Sequence, residues 1–466
     1  MAASPKFAAF EIVRTLRERG HQAYLVGGCV RDLVLGREPA DYDVATDATP
    51  DQVMRTFPKT WAVGAQFGVV LVPIDSINKD GARSPSSAME TSLNWKPETG
   101  NATIEVATFR SDGLYTDGRH PDEVTYSKDP REDVQRRDFT INGLLLDPAN
   151  NQVLDFVGGL GDLKHGLVRT IGEPDKRFAE DKLRMLRAVR FAARFGYKID
   201  VGTMDAIRRL APQIAQVSRE RVRDELGKML TEGRARAAFE LLDQSSLLRQ
   251  VLPEIEKMKG VRQPPQFHPE GDVWVHTLML LEQLPPNASR TLGWGALLHD
   301  VGKPPTFREA PDRIRFDNHV EVGVAMARDI ARRLRMSNDD AGQIEALVAQ
   351  HMRFGDALKM KPSTLKRFLR LPQFEEHLEM HRIDCLASHG DLTIYDYLRK
   401  KLEETPPEEI RPRPLVTGDD LLTLGYKPGP RFREILAAVE DLQLEGQLTT
   451  KDEALSFIRS QFQLHN

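Results

Sequence analysis

The sequence predicts a multidomain α+β protein, in which a small α/β domain is followed by all-helical domains. Continuous helix is predicted from about residue 176 to 250, and a second helical region, rich in histidine, spans 268–395. Before these regions, short apolar segments alternate with amphipathic ones, which is typical of a domain that contains strands and helices. The predicted strands lie near residues 23–26, 42–45, 66–73 and 103–109.

Helices are predicted around and between the first strands. Residues 4–19 form an amphipathic pattern, and shorter helices are predicted near 30–35 and 50–57. In the first helix an apolar residue recurs at every third position, which gives one face to bury. These residues are Phe7, Phe10, Val13 and Leu16.

The composition bounds the class of protein. Of the 466 residues 40% are hydrophobic and 29% are charged, which is ordinary for a globular chain. The net charge of −4 argues against a uniformly basic surface for nucleic acid but is compatible with a local basic patch. Cys29 and Cys385 are the only cysteines, which excludes a disulfide framework and favours a reducing compartment. Since no apolar run reaches ~18 residues, we expect a cytoplasmic protein without a membrane partner.

Proline-rich and polar segments predict the domain boundaries. Pro264-Pro265 closes one helical region, and Pro406-Pro407 begins a linker. Residues 75–102 are a polar insertion between two predicted strands, and we expect them to form an exposed loop. The predicted domains are 1–155, which contains this insertion, 156–262, 263–405, and a small helical tail at 415–466.

The most informative motif joins two glycines to two aspartates. Gly27 and Gly28 follow an apolar strand, and without a β-carbon they let backbone N–H groups approach a triphosphate closely. Arg31, in the helix that opens next, adds a positive charge. Asp41 and Asp43 are two residues apart, and in a strand such residues point to the same face. Adjacent carboxylates of this kind predict a site for two Mg²⁺ ions and in-line phosphoryl chemistry.

These runs, LVGG at 25–28 and DYDVATDA at 41–48, resemble the nucleotidyltransferase signature of the DNA polymerase beta superfamily. They are more closely similar to bacterial class II CCA-adding enzymes and poly(A) polymerases. The resemblance implies an α/β nucleotidyltransferase palm in which Asp41 and Asp43 are catalytic ligands of Mg²⁺. It also implies a third catalytic acid at Glu105, which would bind metal or accept the proton of the attacking hydroxyl.

A second motif, RRDFTING, occupies residues 136–143. Arginines suit a triphosphate because each donates several hydrogen bonds in a fixed geometry. Asp138 and Asn142 are four residues apart and would share one face of a helix. The resemblance implies that Arg137, Asp138 and Asn142 bind the ribose and the phosphates of the nucleotide.

The segment EDKLRMLR at 180–187 predicts how the base is selected. On one helix, Asp181 and Arg184 would be neighbours, where the carboxylate accepts hydrogen bonds and the guanidinium donates them. Cytosine and adenine both present an amine beside an unprotonated ring nitrogen, so this pair would select them without a nucleic-acid template. A good bidentate contact gives ~1–3 kcal/mol of discrimination. A simple ion pair between the two residues is the alternative.

The resemblance places the nucleotide-reading residues at Asp181 and Arg184, and it continues into the next turns. Arg187 and Arg190 follow the family pattern and are expected to bind the nucleotide or the phosphates of the tRNA acceptor stem.

The histidine-rich region predicts a second metal site. His299-Asp300 follows an apolar helix, and a buried His-Asp pair requires a partner, for which a divalent metal is suited. Imidazole together with carboxylate favours Mn, Fe, Co, Ni or Zn over Ca. We expect Lys303 to be a solvated charge. The residues occur in an order that resembles the HD phosphohydrolase superfamily, with His276, His299, Asp300, His319, His351 and Asp384 as predicted ligands.

The resemblance implies template-independent addition or repair of the 3′-terminal CCA of tRNA, in which the tRNA 3′-hydroxyl attacks the α-phosphorus of CTP or ATP. The expected partners are therefore the acceptor end of tRNA, CTP and ATP. The motifs leave open a poly(A) polymerase and an enzyme that adds only CC or only A. An HD-type phosphohydrolase whose palm only binds RNA and a regulatory nucleotide-binding module also remain open. The sequence does not determine the oligomeric state or the activity of the HD domain.

Overall fold

The computed structural model describes residues 4–57, 59–62, 68–77, 103–112, 124–266 and 268–463. The chain divides into two units, the first formed by residues 1–229 with 237–251 and the second by 230–236 with 252–466. Of the predicted 75–102 insertion, residues 78–102 lie outside the described residues, so the exposed loop stays a prediction.

The strands of the described residues are short. In chain order they are β1 Ala23–Val26, β2 Asp43–Thr46, β3 Trp61–Ala62, β4 Val69–Pro73, β5 Thr103–Thr108, β6 Arg110–Asp112, β7 Val124–Tyr126, β8 Leu144–Asp147, β9 Gln152–Asp155, β10 Leu167–Val168, β11 Lys198–Ile199, β12 Phe307–Glu309 and β13 Ile314–Phe316.

The α-helices up to the end of the first unit are α1 Pro5–Glu18, α2 Gly28–Val34, α3 Pro50–Thr56, α4 Pro130–Gln135, α5 Gly159–His165, α6 Pro174–Glu180, α7 Leu183–Phe195, α8 Val201–Leu210, α9 Arg219–Thr231, α10 Ala235–Gln244 and α11 Leu248–Val251. Short 3₁₀ helices accompany them at Ile74–Ser76, Thr140–Asn142 and Ala211–Gln216.

The later helices are α12 Pro253–Glu256, α13 Val273–Glu282, α14 Arg290–Leu298, α15 Lys303–Thr306, α16 His319–Arg333, α17 Asn338–Gln350, α18 Pro362–Leu369, α19 Phe374–Ala387, α20 Thr393–Glu404, α21 Pro407–Ile410, α22 Gly418–Thr423, α23 Pro430–Leu444 and α24 Lys451–Gln461. A 3₁₀ helix spans His351–Lys359.

Seven of the described strands form one mixed sheet in the first unit, in the order β3-β4-β5-β2-β1-β8-β9. β2 runs parallel to β5 and antiparallel to β1, and β1 pairs antiparallel with β8. The four predicted strands are confirmed as β1, β2, β4 and β5. β3, β8 and β9 of this sheet were not predicted. In β8 the reason is that the run Leu144–Leu146 is buried throughout and therefore lacks alternation.

The first helix and the sheet build the core of this unit from both local and distant residues. The hydroxyl of Ser4 accepts a hydrogen bond from the N–H of Phe7 at 3.3 Å, which starts α1. α1 lies against β1 and β2, and its apolar residues Ile12 and Leu16 are fully buried. One cluster of the sheet core contains Val26, Ala45, Phe109, Val134 and Leu145.

The prediction of continuous helix from about 176 to 250 is wrong, because α6 to α11 are separate helices. Gly196 ends α7 in the left-handed conformation with a φ of 70°. Asp200 then starts α8, where its Oδ2 accepts a hydrogen bond from the N–H of Thr203 at 3.1 Å. Local capping thus divides the region into short helices that pack on one another.

The second unit contains a bundle in which α13, α14, α17 and α19 pack together. Here β12 and β13 form an antiparallel hairpin, so the prediction of an all-helical region is wrong for residues 307–316. The predicted helical tail is confirmed as α22 to α24, with a core that includes Leu421, Ile435 and Ile458. Among the described residues, no helix combines the length and the apolar composition that crossing a bilayer requires.

Candidate functional site

Gly27 sets the geometry of the first site. β1 ends at Val26, and Gly27, with a positive φ of 77°, turns the chain into α2. A β-carbon at Gly27 would lie 3.4 Å from Nη1 of Arg137 and 4.0 Å from Oδ2 of Asp43. Glycine is therefore favoured here both by the backbone conformation and by the close approach of two functional side chains.

Asp43 and Glu105 are neighbours across two parallel strands. Asp43 of β2 is the register partner of Glu105 of β5, and aligned residues of adjacent strands point to the same face. Asp41 lies two residues before β2, not inside the strand that its spacing suggested. The reason is that β1 ends where Val26 pairs with Asp43, so β1 offers Asp41 no partner.

Burial and the neighbouring carboxylates raise the cost of ionising Asp43 and Glu105. Burial first, and then the carboxylate of Glu105, raise the pKa of Asp43 to about 6, although Arg137 opposes the shift. Desolvation and the carboxylate of Asp41 raise the pKa of Glu105. A divalent cation would stabilise the ionised form of these clustered carboxylates, and their oxygens are the hard ligands that such a cation prefers. The residues present therefore fit a divalent cation.

Asp133 holds Arg137 at this cluster, and the sequence analysis missed it. Asp133 is fully buried, and its Oδ2 accepts hydrogen bonds from Nε and Nη2 of Arg137 at 3.2 and 2.9 Å. Its Oδ1 accepts two more from Arg136, at 2.9 and 2.7 Å. The spacing of three and four residues between this acid and the two arginines was a usable signal.

A chain of hydrogen bonds joins the RRDFTING motif to α2 and α7. Oδ2 of Asp138 accepts from Nε of Arg187 at 2.9 Å, and its Oδ1 accepts from Nδ2 of Asn142 at 3.0 Å. Oδ1 of Asn142 accepts from Nη1 of Arg31 at 2.6 Å. Burial alone would raise the pKa of Asp138, but Arg187, Asn142 and Arg184 together outweigh it and lower that pKa to about 2. Asp138 is thus a charged link between the sheet and α7.

Two predicted arginines are engaged inside the protein. Arg31 is buried, and its guanidinium lies 4.6 Å from the ring centre of Phe195. Arg190 is also buried and donates to Glu225 at 2.7 Å. In this structure both support the surrounding helices, and their contacts with a nucleotide stay predictions.

Asp181 and Arg184 do not share a helix, so that part of the prediction is wrong. α6 ends at Glu180, and Asp181 is extended, with φ −145° and ψ 106°. Asp181 accepts two hydrogen bonds from Arg221 of α9, at 3.2 and 2.7 Å. Arg184 donates to Glu180 at 2.6 Å. The break has a local cause and a tertiary one. Oδ1 of Asp181 accepts from the N–H of Leu183 at the start of α7 at 3.0 Å, and Arg221, from a helix 40 residues further on, holds the same carboxylate.

In the second unit, three side chains converge within the helical bundle. Nε2 of His276 in α13 lies 3.1 Å from Oδ1 of Asp384 in α19 and 3.3 Å from Nε2 of His299. Burial would lower the pKa of His276, but Asp384 and Glu270 outweigh it and raise that pKa to about 9. Two imidazoles and a carboxylate within reach of one ion are a ligand set for a divalent metal.

Asp300, His319 and His351 form the adjoining group. Oδ1 of Asp300 lies 4.0 Å from Nε2 of His319 and 3.9 Å from Nε2 of His351. Within the described part of the chain, both nitrogens are buried without a hydrogen-bond partner. Burial lowers the pKa of His351 to about 4 and also lowers that of His319, so both rings offer a lone pair near neutral pH. Such orphaned atoms are costly, and a cation between them would satisfy them.

Gly302 brings the two halves of this centre together. A β-carbon there would lie 2.1 Å from the carbonyl oxygen of His319 and 2.6 Å from the backbone nitrogen of Gly323. The turn after the His-Asp pair therefore touches the backbone of α16. This contact, which only glycine permits, places His319 beside Asp300.

Three residues of this centre escaped the sequence analysis or were misjudged. Lys303 is buried, with Nζ 2.6 Å from Oδ2 of Asp300 and 2.6 Å from Oε1 of Gln263, so the expectation of a solvated charge is wrong. Glu270 was missed, although its Oε1 lies 2.9 Å from Nδ1 of His276. His268, also missed, lies 2.9 Å from the same oxygen. The run His-Pro-Glu shortly before His276 was the available signal.

Three family models match the chain, in the predicted order. The "Poly A polymerase head domain" matches residues 23–169, and the "Probable RNA and SrmB- binding site of polymerase A" matches 196–259. The "HD domain" matches residues 272–388. These matches confirm the predicted fold class: a nucleotidyltransferase palm, then helical domains that include an HD domain.

Known proteins of this architecture resemble the chain over most of its length. A "CCA-adding enzyme" of Geobacillus sp. (strain WCH70) is 30% identical over 96% of this chain and 95% of that protein. A second, of Geobacillus thermodenitrificans (strain NG80-2), is 36% identical, but the match covers only 63% of either protein. The crystal structure of Bacillus stearothermophilus CCA-adding enzyme in complex with CTP is 25% identical, with a TM-score of 0.71, and the match covers 98% of both chains.

Replacing Asp43 by Asn is expected to stabilise the metal-free protein above about pH 6. The folded state holds the proton of Asp43 more tightly than the unfolded chain, because the pKa is raised from 3.8 to about 6. Ionisation of Asp43 therefore lowers the free energy of unfolding progressively as the pH rises from 3.8 to about 6. Above that pH the loss is constant, at up to about 3 kcal/mol. Chemical unfolding in EDTA at pH 4 and pH 7.5 measures the difference in unfolding free energy between Asp43→Asn and wild type.

The control for this experiment is Asp205→Asn, which removes a charge from the exposed surface of α8. We expect it to change the free energy of unfolding by less than about 0.5 kcal/mol at both pH values. Equal unfolding free energies of wild type and Asp43→Asn at pH 7.5 would contradict the raised pKa.

Proposed function

We propose that this chain, which belongs to the family of CCA-adding enzymes, completes or repairs the 3′-terminal CCA of tRNA from CTP and ATP. The observation that carries the proposal is the pairing of Asp43 with Glu105 beside Arg137, in a chain 30% identical to a CCA-adding enzyme over nearly its full length. Carboxylates beside an arginine and a glycine turn are the groups that hold a triphosphate with its cations.

Each side chain of the palm has a task in this proposal. Asp41 and Asp43 would hold two Mg²⁺ ions, and such ions orient the triphosphate and stabilise the charge that develops on it. Glu105 completes the acidic face and accepts the proton of the tRNA 3′-hydroxyl or binds metal. Gly27 and Gly28 leave room for the phosphates, and Arg137, fixed by Asp133, donates hydrogen bonds to them.

Asp138 and Asn142 are proposed to bind the ribose. Their fixed orientation supports this role, because Arg187 and Arg31 hold them from opposite sides, at 2.9 and 2.6 Å. A charged acceptor with a lowered pKa stays ready to accept from a sugar hydroxyl at every physiological pH.

Asp181 and Arg184 are proposed to read the base. In this structure their partners are Arg221 and Glu180, so both groups must turn from protein partners to the nucleotide when it binds. These partners keep the charges of Asp181 and Arg184 paired in the absence of a nucleotide. Binding of the base then exchanges one partner for another and does not leave an unpaired charge. Selection follows from the donor and acceptor pattern that cytosine and adenine share.

The decisive experiment uses tRNA without its 3′-terminal CCA, supplied with CTP, with ATP, or with both. We expect two C and then one A, and no addition from UTP or GTP. Asp43→Asn is expected to lower the rate of pyrophosphate release by at least about 10²-fold. An untemplated A ladder on generic RNA would instead support a poly(A) polymerase. Addition of CC only, or of A only, would support a partial enzyme. The absence of pyrophosphate release would support a regulatory nucleotide-binding module.

Asp181→Ala is expected to weaken base selection more than triphosphate binding. The ratio of kcat/KM for CTP to that for UTP should fall by about 10- to 100-fold, which corresponds to ~1–3 kcal/mol. Asp175→Ala is the matched control, since Asp175 lies on the neighbouring α6 and pairs at the surface with Arg209. Unchanged selection in Asp181→Ala would remove this residue from the reading pair.

We further propose that the second unit binds divalent transition metals and hydrolyses phosphate esters. The specific observation is the pair of orphaned nitrogens, Nε2 of His319 and of His351, that face Oδ1 of Asp300. Mn, Fe, Co, Ni or Zn would suit this mixture of ligands, and a bound ion polarises a phosphate ester and activates water. Lys303 offsets the charge of Asp300 from the other side.

The two activities should separate by mutation. His299→Gln is expected to abolish the hydrolysis of p-nitrophenyl phosphate or bis-p-nitrophenyl phosphate and to leave addition of CCA unchanged, whereas Asp43→Asn should do the reverse. The assay compares Mn²⁺, Co²⁺, Ni²⁺ and Zn²⁺ with a chelator. Hydrolysis that survives His299→Gln would contradict the assignment, and hydrolysis without any nucleotide addition would favour a phosphohydrolase with an RNA-binding palm.

A further inference from the structure

Three of the four histidines of the metal centre are oriented by their own backbone. Nδ1 of His299 lies 2.9 Å from the carbonyl oxygen of Ala296, and Nδ1 of His319 lies 2.9 Å from that of Phe316. Nδ1 of His351 lies 2.7 Å from the carbonyl oxygen of Val348. In each case the partner is three residues earlier. Donation by Nδ1–H to a carbonyl leaves Nε2 with the lone pair that a metal requires.

His276 is the exception. The carbonyl oxygen three residues earlier belongs to Val273, and it accepts a hydrogen bond from the hydroxyl of Thr277 at 2.8 Å. Nδ1 of His276 instead lies 2.9 Å from Oε1 of Glu270, at ion-pair distance but without the alignment of a hydrogen bond. Its Nε2 points the other way, toward Asp384 and His299. A carboxylate therefore stands where the other three rings have a backbone carbonyl.

The carboxylate of Glu270 is held firmly in this place. Its side chain is 4% exposed, and Oε1 is also 2.9 Å from Nδ1 of His268. The His268 ring meets that of His276 edge to face, with centroids 4.8 Å apart. Asp272 fixes the end of this loop, because Oδ1 and Oδ2 accept from the N–H groups of Val275 and Gly260 at 3.0 and 2.7 Å.

We propose that Glu270, seated by His268, is a positioning residue that orients His276 for the metal. With a metal bound at Nε2, Glu270 would align with Nδ1 to accept its proton, which fixes the ring beside His299 and Asp384. The inference rests on the proposed metal centre and names the residue that completes it. A carboxylate in this place also makes the ring a more basic ligand than a carbonyl does.

A third metal ion held by His268, Glu270 and His276 is the competing interpretation, since these atoms also lie within reach of one ion. It would require His276 to bind an ion through each of its two nitrogens at once, with loss of both ring protons. Hydrogen bonding to Glu270 needs no such deprotonation. The number of bound ions therefore distinguishes the two roles.

The test is a titration of the full chain with Co²⁺ in excess Mg²⁺, which keeps the acidic palm saturated. Bound Co²⁺ is counted by elemental analysis, and its Kd follows from its visible absorption in competition with a chelator. Glu270→Gln should bind as many ions as wild type, with a Kd raised by about 10- to 100-fold. His268→Gln should raise the Kd in the same direction but less. Glu404→Gln, at the exposed end of α20, should change nothing.

Other outcomes overturn the proposal in distinguishable ways. An unchanged Kd in Glu270→Gln, or the loss of one ion while the others bind normally, would remove the positioning role. Wild type that binds no Co²⁺ would reject the metal centre itself. Thermal unfolding in EDTA checks that Glu270→Gln is folded. If Glu270→Gln is not folded, His268→Gln is the test, because it keeps the carboxylate of Glu270 and removes only the contact with His268. An unchanged Kd for Co²⁺ in His268→Gln would then contradict the proposal.

Discussion

The repulsion between two carboxylates that the sheet holds side by side is the constraint around which the first unit is built. Parallel pairing of β2 with β5 puts Asp43 against Glu105, and the two cannot move apart without breaking the ladder. Burial first, and the carboxylate of Glu105 second, raise the pKa of Asp43, and a divalent cation would offset this cost. Neighbouring residues complete this site. Gly27 leaves space beside Arg137 and Asp43, and Asp133 holds Arg137 near the acids.

The second centre, in the helical bundle, also contains polar groups that are costly to bury. Burial lowers the pKa values of His319 and His351, so the unfavourable groups there are unpaired nitrogens and not crowded charges. The orientation of the histidines comes from backbone carbonyls at three positions and, in our proposal, from Glu270 at the fourth. Close packing matters as much as polarity, because Gly302 lets the backbone of α16 approach Asp300 closely enough to deliver His319.

Local chemistry made several features predictable from the sequence. Gly27 requires a turn with positive φ, and the predicted face of α1 is buried at Val13 and Leu16 but only partly at Phe7 and Phe10. The acids and histidines proposed at both centres were chosen by residue type and order, and the structure groups His276, His299 and Asp384 in space, while their metal binding stays a prediction. Such features depend on sterics and ligand chemistry that act within a few residues.

Only the tertiary structure decided which groups support those residues. Glu270 and Lys303 are ordinary charged residues in the sequence, and their roles arise because packing draws them away from water and gives them specific partners. The same holds for β8, whose apolar run becomes recognisable as a strand only once β1 and β9 flank it. The sequence by itself determined which side chains are proposed as reactive groups and where the turns lie, since these depend on residue type and local geometry. The fold decided their partners and orientation, since burial and long-range pairing exist only after the chain has packed.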